Sequence, residues 1–340
     1  MLIVRPARLA DLDAFEVLAR EAGPGFTSLA VGRAGLEAIL AASETAFAAP
    51  LRPEPAEDRY LLLLENTETQ QICGIAGIKA LIGDSKPFFN FKLLTLSQMS
   101  RDADRRFDLD VLVLVNEYTG CSEVGSLFVS SNLRGTGAGR LMAQSRYLLM
   151  ASDPRRFGSQ IVSELRGVVG PDGRAPFWEH LGRIFFQMDF EQADELSAKT
   201  DNQFVLDLMP KHPIYVDLLH EEARAVIGQC HPKGQGALKL LQWEGFHYDH
   251  VVDIFDGGPL VSCARDEIRT LRESVIAKVR AADPGPFAKP ALVSNDHFAE
   301  FRAASARVLL AQGIAAMDSK VMRGLGLSEG QNVRIWTQQE

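Results

Sequence analysis

The stretch Ser126-Leu-Phe-Val-Ser-Ser-Asn-Leu-Arg134-Gly135-Thr-Gly137-Ala-Gly139-Arg140-Leu-Met-Ala-Gln-Ser-Arg-Tyr-Leu-Leu149 decides how this chain folds. Gly125 to Val129 is short and aliphatic, as a buried strand should be, and it runs into three glycines at alternate positions, 135, 137 and 139. Gly139 to Ser152 then reads as a helix, stopped by Asp153-Pro154. Glycines where a strand turns into a helix let backbone N–H groups swing toward an anion, and the helix N-terminus adds a favourable dipole potential. The junction is therefore expected to hold a phosphate or diphosphate. Spacing excludes two common nucleotide loops. A Walker loop needs GxxxxGK followed by Ser or Thr, and no such string occurs; a dinucleotide fingerprint begun at Gly135 needs a glycine where Arg140 stands.

Outward from this junction the chain reads as α/β. Leu2 to Arg5 is a strand and Leu9 to about Ala22 a helix with an apolar stripe of Leu12, Phe15, Leu18 and Ala19. Tyr60 to Glu65 and Ile72 to Lys79 flank a polar turn and predict an antiparallel hairpin; Asp110 to Asn116 is a further buried strand. Past the glycines come a strand at Gln160 to Arg166, a short helix at Phe177 to Leu181 and an aromatic strand at Phe185 to Phe190. Helices at Glu221 to Ile227 and Gly236 to Trp243, a strand at Val251 to Phe255, a connector at Ala281 to Pro290 and a turn and strand at Leu325 to Trp336 complete the pass. The expected organisation is three consecutive parts: an α/β domain carrying the glycine loop over 1–190, a second α/β region over 191–275 and a small, mainly β part over 276–340. One echo links the first two. Arg134-Gly-Thr-Gly-Ala-Gly-Arg-Leu141 and Lys233-Gly-Gln-Gly-Ala-Leu-Lys-Leu240 share a basic, G, x, G, A, x, basic, L pattern, each at the start of a helix, so the second region could be a relative of the first.

Composition narrows the function classes. The 340 residues are 46% hydrophobic and 24% charged, enough apolar material for more than one core. Thirty-six basic side chains against 44 acidic ones leave a net charge of −8, which gives no general affinity for a phosphate backbone or an anionic lipid surface. Nucleic acid and membrane are not expected partners. The longest apolar runs, such as Tyr60 to Leu64, are far short of the roughly 20 residues that span a bilayer. Arg5, Arg8 and Asp11 interrupt any signal-like run, so a cytoplasmic address is expected. Cys73, Cys121, Cys230 and Cys263 show no CxxC spacing, and no metal or disulfide framework is expected.

Arg134-x-x-Gly137-x-Gly139, with a strand before it and a helix after, resembles the acyl-CoA pyrophosphate loop of the GNAT acyltransferase superfamily, whose pattern is R/Q-x-x-G-x-G/A. The order of elements and Phe177-Trp-Glu-His-Leu-Gly182 also resemble that fold, a mixed sheet flanked by helices. A closer resemblance covers nearly the whole chain. MLIVRPARLADLD, TSLA, EYTGCSE, SELRGVV, PFWEHLGRIFFQMDF, ELS, LMPKHPIYVDLL, VIGQCHP and EGFHYDHVVDIFDGGP are similar to arginine N-succinyltransferases. That resemblance implies transfer of succinyl from succinyl-CoA to the α-amino group of L-arginine, with ornithine accepted by some members. It implies succinyl-CoA as cosubstrate, no tightly bound cofactor, and assembly as a homo-oligomer or as paired α and β chains.

Aminolysis of a thioester needs a neutral amine, a place for the oxyanion and a proton for the departing thiolate, and a group titrating near neutrality can serve the proton movements. Among seven histidines, His231 stands before Pro232, which biases it to an extended conformation at a loop edge just ahead of a helix. From the residues alone it could equally be a helix cap; the resemblance implies that it is the proton donor. His212, also before a proline, is its rival, and His247 with His250 lacks the helical setting for a metal pair. The superfamily resemblance implies that the main chain at Leu127 and Val129 holds the pantetheine arm, a β-bulge freeing the Leu127 N–H, while Arg134, Gly135, Gly137 and Gly139 take the diphosphate. A guanidinium needs acceptors and a succinyl carboxylate needs a cation. Glu164 and Arg166, alternating on the strand, are expected to face the same way and could serve both, or could simply pair with each other. Glu123 and Glu117 are further acceptors, and Asp253 and Asp256 read mainly as turn formers. Two other readings remain at this point: an acetyltransferase acting on proteins or small molecules, and a silent acyl-CoA sensor.

Overall fold

The computed structural model describes residues 1–23, 32–200 and 203–338. The string Thr27 to Ala30 lies outside the described residues. The chain forms two compact units, neither of them continuous in sequence: Met1–Ala80, Val124–Ser159 and Ala264–Glu340 make the first, and Leu81–Glu123 with Gln160–Cys263 the second. Among the described residues no helix is long and apolar enough to cross a membrane.

In the first unit, strand Leu2–Pro6 pairs antiparallel with Arg59–Asn66, which pairs antiparallel with Gln71–Lys79. The expected hairpin is present. Tyr60 to Leu64 are buried at every position rather than at alternate ones, which requires cover on both faces of the sheet. Leu61 and Leu63 pack with Phe15 and Leu18 of helix Leu12–Ala22 and with Leu36 and Leu40 of helix Arg33–Ala48. Helix Ala138–Ser152, buried from Leu141 to Met150, packs on the same strands. Two of its buried polar side chains donate locally: Gln144 Nε2 to Thr270 Oγ1 at 2.7 Å and Arg146 Nε to the Ala143 carbonyl at 3.1 Å.

Five strands from the end of the chain, Val275–Ala281, Lys289–Asn295, Ala303–Ala311, Ile314–Met317 and Asn332–Thr337, belong to this same unit. They enclose a core of Val279, Val293, Met317, Leu325 and Ile335 that also takes in Ile3. Strand Ala303–Ala311 pairs with the first strand, Val4 opposite Ala303. That pairing and the shared core make the tail one body with the amino-terminal segments. The units therefore follow strand pairing rather than the consecutive boundaries near 190 and 275.

In the second unit, Asn90–Ser100 and Arg105–Val115 form a long antiparallel hairpin, and Asn90 to Lys92 pair with Asp253 to Val251 of strand His247–Asp253. Phe91, Leu112, Trp178, Leu181, Phe186 and Val252 make its core. The hairpin's first strand and helix Arg33–Ala48 have no counterpart in the sequence reading. The aromatic strand expected at Phe185 to Phe190 is not there. Residues 178–182 form a π-helical turn running into helix Arg183–Phe186, Gln187 is left-handed at φ 51°, and Asp189 caps helix Phe190–Lys199. The reason is spacing. Trp178, Leu181, Gly182 and Phe186 are the buried positions, three and four apart, and Trp178 lies 5.2 Å from Phe186 with the rings tilted by 36°, while its indole N–H donates to the Met188 carbonyl at 3.0 Å.

Candidate active site

Strand Ser122–Val129 leads into the glycine loop of the first unit. Ser126 has φ 50°, the left-handed region that a non-glycine residue adopts in a bulged strand, immediately before Leu127. Leu127 and Val129 are half-buried. A single turn over Ser131–Leu133 brings the chain to Arg134, which is exposed, and Gly135 and Gly137 take φ 78° and 88°. Gly137 caps helix Ala138–Ser152, whose Leu141 N–H bonds back to the Gly137 carbonyl at 2.9 Å. Thr136 is tied down by its N–H and its hydroxyl, both to the Leu133 carbonyl. Among the described residues the amides of Gly135, Gly137, Ala138 and Gly139 have no hydrogen-bond partner. This is a nest of donors at a helix N-terminus.

Gly139 is informative because nothing inside the fold asks for it. Its φ is not left-handed, and a Cβ there would meet no atom within 4 Å. Glycine in a helix costs about 0.8–1.0 kcal/mol relative to alanine. The open space beside it faces outward, where a ligand could approach the backbone closely.

The second unit holds the other candidates. Strand Gln160–Glu164 ends at Glu164, so Arg166 lies beyond it, and the shared strand face expected for Glu164 and Arg166 is not formed. The face is shared instead by Glu123 and Glu164: Glu123 stands opposite Val162 in a parallel ladder, two residues from Glu164. Asn90 Nδ2 donates to Glu164 Oε1 at 2.8 Å, and the fully buried Asn90 keeps its Oδ1 without a partner in the structure. Glu117 turns elsewhere, pairing with Lys92 at 2.7 Å.

His231 is half-exposed and caps the single turn Pro232–Gly234. Its Nδ1 accepts from the Lys233 N–H at 3.1 Å, so the neutral ring carries its proton on Nε2. Desolvation, then the charges of Arg166 and Lys233, pull its pKa below the ordinary histidine value, against an opposing pull from Asp256. Its own N–H donates to the Arg166 carbonyl at 2.8 Å. The capping role thus falls on Nδ1 alone. The turn before helix Gln235–Glu244 has Gly234 right-handed, unlike Gly135 and Gly137, so the sequence echo is not matched in backbone conformation.

Asp253 and Asp256 do form a turn. Asp253 Oδ1 accepts from the amides of Phe255 at 2.7 Å and Asp256 at 2.8 Å, and Asp256 Oδ1 from Gly258 at 2.8 Å. Burial first, then the neighbouring Asp256 and Glu164, drives the Asp253 carboxyl well above the usual range. Among the described residues one group has metal-ligand chemistry, His180, His220 and Glu222. The two rings are stacked 4.1 Å apart and within 17° of parallel, and a 3.2 Å contact to Glu222 already engages His180 Nε2. His212 is exposed, and His247 pairs with Asp249 at 3.2 Å on a strand whose register shifts.

The model of the arginine N-succinyltransferase beta subunit matches residues 2–270, and that of its C-terminal domain matches 275–337. The chain belongs to the arginine N-succinyltransferase family. Arginine N-succinyltransferases of Salmonella paratyphi B and Salmonella typhimurium are each 37% identical to it over 336 residues, 98% of this chain and 97% of theirs. The arginine/ornithine succinyltransferase subunit AI from Pseudomonas aeruginosa matches with a TM-score of 0.89 at 33% identity, covering 99% of this chain and 98% of that one. Membership makes the chain an acyltransferase of the GNAT type with an acyl-CoA cosubstrate. Sequence reasoning missed Asn90, because its strand, Asn90–Ser100, mixes Leu, Phe and Met with polar residues without a clean alternation and has one β-branched residue, and it missed Gly167, whose need for glycine arises only from a segment 89 residues away.

Proposed function

We propose that the protein transfers succinyl from succinyl-CoA to the α-amino group of L-arginine, by direct attack of the amine on the thioester. The C–N bond forms, the C–S bond breaks, the amine gives up a proton, and the thiolate leaves as the thiol. The reading is supported most by the run of four unpartnered amides at 135 and 137–139, a site for the diphosphate of CoA. Roles are assigned unit by unit. In the first, Gly135, Gly137 and Gly139 hold the diphosphate with Arg134 as its cation, and the main chain of Leu127 and Val129, bent at Ser126, meets the pantetheine arm. In the second, His231 presents Nε2–H as a hydrogen-bond donor to the departing sulfur, Nδ1 being already occupied as an acceptor, and the proton that completes the thiol is the one the amine gives up. Glu164 and Glu123 share a strand face and would receive the cationic substrate, and Arg166 would attract the succinyl carboxylate. We read the protein as cytoplasmic and as an assembly of like or paired chains; the Pseudomonas neighbour is itself a subunit.

The test is an initial-rate assay following thiol release. Release should require both succinyl-CoA and free L-arginine and should be far slower with acetyl-CoA. Release that ignores arginine, or prefers acetyl-CoA with a protein amine, would sink the assignment.

A further inference from the structure

Three segments of the second unit cross at Asp256. Its Oδ2 accepts from the Gly167 N–H at 2.8 Å while its Oδ1 accepts from Gly258. Leu165 N–H donates to the Pro259 carbonyl at 3.0 Å, so residues 165–167 lie along 256–259. The crossing is too close for side chains. A Cβ on Gly167 would stand 2.3 Å from the Asp256 carbonyl oxygen, and one on Gly258 would stand 2.1 Å from the Leu165 carbonyl oxygen. The loop that carries His231 hangs from these two segments at both of its ends. Gly228 N–H donates to the Gly257 carbonyl and His231 N–H to the Arg166 carbonyl, each at 2.8 Å.

We propose that Asp256 is a positioning residue for His231: its carboxylate fixes Gly167, and with it the adjacent Arg166 carbonyl that holds the His231 backbone. This rests on the reading of His231 as the group that serves the departing sulfur. Asp256 is 7% exposed, and a carboxylate kept at that depth is there for the amides it receives. The two oxygens divide the work. The bond to Gly258 closes a local turn that asparagine forms equally well. The bond to Gly167 joins separate segments, and asparagine, with one acceptor oxygen, would set an NH2 against that N–H.

The experiment is a double-mutant cycle on the full-length enzyme with Asp256→Asn and His231→Gln. D256N is expected to lower kcat roughly 10- to 100-fold, the cost of a misplaced catalytic group, with KM for L-arginine within about twofold because the acceptors assigned to it, Glu164 and Glu123, lie outside residues 165–167. In the H231Q background the same change should lower kcat by no more than about twofold, since a positioning residue has nothing left to position. Equal losses in both backgrounds, or no loss in either, overturn the inference. H231Q at wild-type turnover overturns the reading of His231 itself, and that result is seen without any variant of Asp256. Amide hydrogen exchange of the unmodified protein gives a second check if D256N does not fold. Gly167 and His231 should both be strongly protected, and rapid exchange at either removes the link.

Discussion

Alanine at Gly139 and at Gly137 should move stability in opposite directions and binding in the same one. At Gly139 the backbone is not left-handed and a Cβ meets nothing within 4 Å. Removing glycine's excess freedom from the unfolded chain should stabilise the protein by about 0.4–1 kcal/mol. At Gly137, φ is 88°, and the left-handed conformation costs an L-residue roughly 1–2 kcal/mol. In a unit of this size, 1 kcal/mol corresponds to about 2–4 °C in the melting temperature. G139A should therefore melt a degree or more above wild type and G137A several degrees below it. Both place a methyl over amides assigned to the diphosphate. Losing one charge-assisted hydrogen bond, worth about 1.5–3 kcal/mol, should raise KM for succinyl-CoA some 10- to 100-fold. Thermal denaturation and initial rates at saturating arginine read the two effects separately. A stabilised G139A with wild-type KM for succinyl-CoA would refute the argument, because it would show that the open side of that glycine faces no ligand.

His231→Gln should lower kcat by about 10²- to 10⁴-fold with little change in either KM, and an unaltered kcat contradicts the assigned role. The pH dependence has a definite sign. The His231 pKa is lowered by burial and by Arg166 and Lys233, so its neutral form is complete above about pH 6.5, and both the stability it confers and wild-type kcat/KM should decline only as pH falls through the lower folded value. A pH–rate profile whose acid limb lies above 6.5 would point to another group. Glu164→Gln keeps an acceptor for Asn90 but removes the charge, so KM for arginine should rise about 10-fold and KM for succinyl-CoA should hold; the reverse pattern would move Glu164 to the other substrate. Gly182→Ala would put a Cβ 2.1 Å from Trp178 Cε3 in the core and should cost about 1–3 kcal/mol in urea unfolding, and a wild-type midpoint would mean that the indole has room to move.

Much of this protein can be read from its sequence because the information is local. The glycine loop between strand and helix, the hairpin around Asn66 to Gln71 and the turn at Asp253 to Gly258 each depend on neighbours a few residues apart, and φ, capping and turn chemistry are set over that range. His231 before Pro232 is local in the same sense. What the tertiary structure alone decided is whatever depends on residues distant in the chain. Val4 meets Ala303, which joins the tail to the first strand, and no periodicity in either segment records that pairing. Glu123 shares a face with Glu164 through a ladder register, Asn90 reaches Glu164 across 74 residues, and Asp256 reaches Gly167 across 89. The run from Phe185 to Phe190 failed as a strand because burial, which only the packed core reveals, follows a three-and-four spacing from Trp178 to Phe186. Pattern fixes which face of an element is apolar, whereas the identity of the atoms across from it is set by packing, and the chemistry of this site resides in those pairings.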